Sequence, residues 1–178
     1  TTSTMMIGKV QGCNVDLLMP PLSPSELTFA FAMGGVSRGV MVAVVTLAAM
    51  SAFVPLAVHN YVALTFFALA ASMMLSLMGL ITGIWADKFD SMAAVTNFLI
   101  MPLAFLSGTF YSVERLPEPW LTVSQLNPFF YMIDGFRYAF IGHADGSLLA
   151  GVLILLVSNA LLWITVHRML VNGYKLKE

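Results

Sequence analysis

From Gly39 to Ala86 the chain runs for 48 residues without an Asp, Glu, Lys or Arg. A soluble domain carries about one charged residue in four, so a stretch of this length points to lipid as the solvent. About 20 apolar residues in a helix cross the roughly 30 Å hydrocarbon layer, so the stretch is too long for one crossing and suits two. The turn between them is expected from Val54-Pro55 to His59-Asn60, where a proline meets two polar side chains. The whole chain agrees: of 178 residues 59% are hydrophobic and 10% charged, with mean hydropathy +0.88. The fold class expected is an all-α integral membrane protein. It has about four transmembrane helices, at 24–53, 61–86, 91–113 and 147–167, and a short hairpin at 116–142 before the last of them. Residues 1–23 and 168–178 are expected on the cytoplasmic side.

The first helix has a strong local start. Ser23 can cap it, Pro24 fits its first position, and Glu26 completes a capping box while placing negative charge at the positive end of the helix dipole. Arg38 is its only later charge, expected near a helix end where it can snorkel to the headgroups. The second run ends at the charged loop Asp87-Lys88-Phe89-Asp90. The third contains Pro102, which removes one backbone hydrogen bond and should kink the helix unless neighbours compensate.

Orientation follows from the Lys and Arg residues. With the N-terminal segment inside, the inner side holds Lys9, Arg38, Lys88, Arg168, Lys175 and Lys177, against only Arg115 and Arg137 outside. That asymmetry obeys the positive-inside rule, puts the tail in the cytoplasm and turns residues 116–142 outward.

Those 27 residues, LPEPWLTVSQLNPFFYMIDGFRYAFIG, hold three prolines, two acids and an arginine. The two helices they suggest are too short to cross a bilayer, which favours a re-entrant or interfacial hairpin. Asn127-Pro128 gives the turn and the start of its second helix. Asp134 and Arg137 lie one helical turn apart and can pair. Gln125 and Asn127 supply polar atoms at the tip. The aromatics Trp120, Phe129, Phe130, Tyr131, Phe136, Tyr138 and Phe140 suit a membrane interface better than a solvated helix pair.

Several function classes lose support. Net charge is −1 with no basic run, so nucleic acid has no electrostatic footprint to bind. Cys13 is the single cysteine, so there is neither an internal disulfide nor a C-x-x-C site. No P-loop, no G-x-S-x-G elbow and no paired carboxylates within a span are present. His59, His143 and His167 fall at helix ends without metal-ligand spacing, and no cofactor or metal is expected on this chain. Charge-free span centres also argue against a proton- or ion-coupled carrier. Small-xxx-small pairs at Ala30/Gly34, Gly35/Gly39 and Gly79/Gly83 mark close helix packing, within one subunit or between two.

Two segments resemble a known family. The hairpin, with Leu116-Pro117, Asn127-Pro128, Tyr131, Asp134 and Arg137, is similar to the segment before the last helix of ABC-2 type transporter permeases. KVQGCNVDLLMPPLSPSEL resembles the cytoplasmic coupling segment of the same family through Gly12, Asp16, Leu17, Leu18, Pro21-Leu22-Ser23-Pro24 and Glu26. It departs from the pattern in lacking the Glu and Arg residues that many members place before the glycine. MPLAFLSGTFYSVERLP also fits, so the resemblance covers nearly the whole chain.

The resemblance implies a six-span inner-membrane permease, of which the first two spans would precede Thr1. The absence of an initiator methionine and of a signal peptide fits that expectation. It further implies a pair of membrane subunits, expected to be a homodimer, working with separate ABC ATP-binding subunits that hold ATP and Mg. In such an exporter of polysaccharide, lipid-linked glycan or drug, Gly12, Asp16, Leu17, Leu18, Pro21, Ser23 and Glu26 would meet the ATPase. Asn127, Pro128, Tyr131, Asp134 and Arg137 would position the exit hairpin. The alternative from another class is an ATP-independent membrane enzyme or assembly scaffold.

Overall fold

The computed structural model describes residues 23–55, 57–86, 88–109, 117–118 and 120–174, with the isolated positions 2 and 7. Gly12, Asp16, Leu17, Leu18 and Pro21 lie outside the described residues, so of the proposed coupling positions only Ser23 and Glu26 are placed. The described residues form helices and connections with no strand. Three helices are long and apolar enough to cross a membrane: α1 (Pro24–Ser51), α2 (Tyr61–Trp85) and, last in the chain, α7 (Leu148–Val171). Between α2 and α7 lie shorter pieces. α3 (Phe89–Val95) passes through a π-helical turn (Thr96–Ile100) into α4 (Met101–Phe105), and α5 (Trp120–Leu126) and α6 (Pro128–Ile141) follow.

α1 begins with the capping box that its sequence encodes. The Ser23 N–H donates to Glu26 Oε2 at 2.8 Å, and the Glu26 N–H donates to Ser23 Oγ at 3.3 Å. These bonds satisfy donors that a helix start otherwise leaves orphaned. One stripe of α1, Thr28, Ala32 and Val36, is buried, and no residue beyond Val36 is. Its 28 residues make a rod of about 42 Å against a hydrocarbon layer of about 30 Å. Arg38 lies near the midpoint of this rod and not near an end, a correction to the sequence reading.

α2 is the hub, in contact with α1, α3, α6 and α7. Asn60 caps it by accepting from the N–H groups of Val62 (3.0 Å) and Ala63 (3.1 Å). Its buried positions, Phe67, Met74, Ser76, Leu77, Leu80, Gly83 and Ile84, face two core clusters. The one nearer Trp85 joins Leu77, Leu80 and Ile84 to Ala32 of α1 and to Val166 and Leu170 of α7. The one nearer Asn60 joins Phe67 and Met74 to Phe129 and Met132 of α6 and Leu155 of α7. Polar side chains tie the helices as well. Ser76 Oγ donates to the Phe31 carbonyl (3.3 Å), and Asn159 Nδ2 donates to the Ala70 carbonyl (3.2 Å) and its own Leu155 carbonyl (2.9 Å).

The third apolar run does not form a helix over 91–113. The 17 residues from Phe89 to Phe105 are helical, and the chain then turns through Leu106 to Gly108, where Gly108 takes φ 76°. At about 25 Å this helix is short for a straight crossing. Pro102 produces a local adjustment: the Met101 N–H reaches back five residues to the Thr96 carbonyl, the π-turn pattern. The extra residue in the turn makes room for a ring that would otherwise press on the carbonyl four residues back.

Candidate functional site: a helix end held by the hairpin

A helix leaves its last four carbonyls without intrahelical donors, and an apolar setting makes each an expense. At the end of α4 side chains answer two of these carbonyls, Leu103 and Ala104, and two in the turn that follows, Leu106 and Gly108. Asn127 Nδ2 donates to Leu103 O at 2.7 Å, and Ser124 Oγ donates to Leu106 O at 2.9 Å. Thr109 Oγ1 donates to Ala104 O at 3.0 Å, and Ser107 Oγ donates to the same oxygen. Arg137 Nη2 donates to Gly108 O at 2.9 Å. Three of these donors, Ser124, Asn127 and Arg137, come from the hairpin, which therefore holds the end of α4.

The sequence explains why they sit there. Asn127 separates α5 from α6 and caps α6 through Oδ1, which accepts from the Phe129 N–H at 3.0 Å, while Pro128 fills the first helical position. With its oxygen committed to the cap, the amide nitrogen is free for Leu103. Ser124, one turn back, is fully buried, whereas Gln125 is exposed and takes no part in the contact expected of it.

α6 is wedged between α2 and α7. Its Phe129 end packs in one core cluster with Phe67 and Met74 of α2 and Leu155 of α7. Its other end meets the start of α2, where the His59 and Asn60 N–H groups donate to the Ala139 carbonyl at 2.9 and 3.1 Å. Gly135 lies flat on the Phe67 ring, and an added Cβ would fall 2.3 Å from it. Tyr131 packs over Gly151 of α7. Burial pushes the Tyr131 phenol up, and the nearby Asp134 carboxylate adds to the shift, so the hydroxyl keeps its proton.

Arg137 and Asp134 do share a face, but at 3.9 Å theirs is the weaker contact. The arginine pairs instead with Asp145, Nη1 to Oδ2 at 2.8 Å, in the loop between α6 and α7. Asp134 accepts from the backbone of that same loop, Oδ1 from the Asp145 N–H at 2.8 Å and Oδ2 from the Gly146 N–H at 2.9 Å. Both acid side chains are 4% exposed and Arg137 is 24% exposed. His143 Nε2 stands 3.6 Å from Asp145 Oδ1 at the rim. Gly142, with φ 76°, ends α6 in the left-handed region and turns the chain into the loop. The cluster thus locks three pieces together: α6, the entry to α7 and the end of α4.

Of the residues singled out in the sequence, Asn127 and Arg137 lie on the α4 end, Pro128 starts α6, Asp134 lies on the loop before α7 and Tyr131 on α7 itself; Ser124, Asp145 and Gly108, which join them, were not singled out. Of the small-residue positions, Gly39 is a tight crossing, with an added Cβ 2.5 Å from Ser72 Oγ, and Gly83 is buried. Gly35 and Gly79 are half-buried, and Gly34 faces open space. Among the described residues no three His, Cys, Asp or Glu side chains gather as a metal site would require.

The family model for the ABC-2 type transporter matches residues 2–141, from the N-terminal segment through the hairpin. The chain belongs to the ABC-2 type transporter family. The similar proteins include the inner membrane transport permease YadH of Escherichia coli K12, 38% identical over 144 residues, covering 80% of this chain and 56% of YadH. The YadH proteins of Escherichia coli O157:H7 and Shigella flexneri match to the same extent. The ABC-2 chain thus spans about half the length of the curated relatives it matches. No solved structure matches it. The hairpin that holds α4 lies almost wholly within the matched region, while Asp145 and Gly146 lie just past it.

Proposed function

We propose that this chain is the membrane-spanning permease part of an ATP-driven ABC-2 exporter, in the inner membrane with its C-terminus in the cytoplasm. It binds no nucleotide itself, and ATP and Mg belong to a separate ABC ATP-binding subunit. The segment containing Gly12, Asp16, Leu17, Leu18, Pro21, Ser23 and Glu26 is the docking site for that subunit, with the Glu26 carboxylate engaged by Ser23 and so shaping the docking turn. A second copy completes the path. The substrate is a polysaccharide, a lipid-linked glycan or a drug.

The observation that carries this reading is the held end of α4. A short helix whose end carbonyls are satisfied by a hairpin packed between α2 and α7 is a built wall element near the outer face. The exposed side of the same helix supports a partner copy. Thr96, Asn97 and Phe98 lie open there beside a π-turn, a combination that suits a protein interface or a water-filled path better than lipid.

The test is co-reconstitution of the full-length permease with its ATP-binding subunit. Stimulated ATP hydrolysis and ATP-dependent substrate movement are expected. Arg137→Ala should abolish most of the movement while the two subunits still assemble. Loss of assembly in that variant would mean the hairpin serves subunit docking and not exit. A purified, active complex with no P-loop subunit would overturn the exporter reading.

A further inference from the structure

Among the described residues, the helix from Phe89 to Phe105 is held at one end only. At its α4 end, Leu103, Leu106 and Gly108 are tied to the hairpin, and Ile100 and Leu103 pack on the core cluster of Phe67, Met74, Phe129, Met132 and Leu155. At its α3 end no residue from Phe89 to Leu99 belongs to or packs on either core cluster. Lys88 gives α3 no side-chain cap. Between the two parts lies the π-turn followed by Pro102, which cannot donate to the ladder. Sharp bends in helices occur at such π-turns and prolines, because the broken ladder resists bending less.

We propose that this helix is a two-part lever: α4 is fixed with the hairpin, and α3 swings about the π-turn at Thr96–Ile100. The hairpin is then the stationary element of the gate, and the part that moves lies on the inner side. Asn127, Ser124 and Arg137 serve as positioning residues that anchor the fulcrum. A bend of about 25° would carry Ala93 by about 3 Å over a lever of roughly 7 Å. The fulcrum rests on packing within this chain and goes beyond the transport reading.

The experiment uses spin labels in the reconstituted full-length protein, with native cysteines, Cys13 among them, replaced and labelled chain diluted in unlabelled chain. One pair joins position 93 to position 156, an exposed site on α7, and a second joins position 105 to the same site. All three positions are exposed, so the labels displace no core packing. The 93–156 distance distribution should be broader than the 105–156 distribution by about 3 Å, and the 105–156 distribution should be narrow. Equal widths, or a mobile position 105, would overturn the lever whatever the transport assays show. Adding the ATP-binding subunit with ATP should then narrow the 93–156 distribution or shift it.

Discussion

Arg137 has two acids within reach, and the geometry chooses between them. Sequence spacing pairs it with Asp134, one turn earlier, because a helix brings those positions together. The Asp134 carboxylate, however, is occupied by the two loop N–H groups of Asp145 and Gly146, which leaves Asp145 to take the guanidinium at 2.8 Å. Asp145 was illegible because it stands beyond the end of α6, where no helical period relates it to Arg137. Gly135 was missed for a related reason: its close neighbour, Phe67, lies 68 residues away on α2. A single methyl there has no room, so Gly135→Ala should cost about 1–3 kcal/mol, the usual penalty of overpacking. Unfolding in detergent would measure it. Adding Phe67→Leu, which removes the ring that the methyl strikes, should recover most of the loss; no recovery would place the strain elsewhere.

Elements whose ends are encoded locally were legible, and those ended by distant partners were not. The start of α1 is written in four consecutive residues, Ser23 to Glu26, and the starts of α2, α6 and α7 in Asn60, Asn127 and Ser147, each of which caps as its type allows. The end of the third helix shows the opposite case. Its uncharged run continues past Phe105, interrupted only by Ser107-Gly108-Thr109, where Gly108 takes φ 76°. The chain leaves the helix there because Ser124 and Asn127, 18 and 24 residues on, are placed to receive the freed carbonyls. Asn127→Leu should therefore act twice, orphaning the Leu103 carbonyl and removing the cap of α6. The losses are about 1–3 kcal/mol for the buried acceptor and about 1 kcal/mol for the cap. Gln125→Leu, at an exposed neighbour, should change stability by less than about 0.5 kcal/mol. Thermal unfolding of the two variants side by side checks this, and equal midpoints would deny the hairpin its hold on α4.

The chain's packing is uneven, and the unevenness has a direction. α2 is surrounded by α1, α6 and α7, whereas α1 buries nothing beyond Val36 and the helix from Phe89 to Phe105 buries nothing at all. Apolar side chains on such faces can rest in lipid at no cost. The Thr96 hydroxyl is met by the Met92 carbonyl at 3.1 Å, but the exposed Asn97 amide beside the π-turn is poorly suited to lipid, which offers no donors or acceptors. On the exposed face of α7 around Leu161 the hydroxyl of Thr165 is already committed to the Leu161 carbonyl at 2.8 Å, so it is the Asn97 amide that separates the two faces. A second copy is therefore expected against the π-turn and not against α7. In membranes holding the full-length protein, Phe98→Cys should form disulfide-linked dimers on mild oxidation, and Leu161→Cys, equally placed for lipid, should not. Cross-linking at Leu161 with none at Phe98 would put the partner on the other side of the molecule. The polar face at Asn97 would then be left to a water-filled path lined by this chain alone.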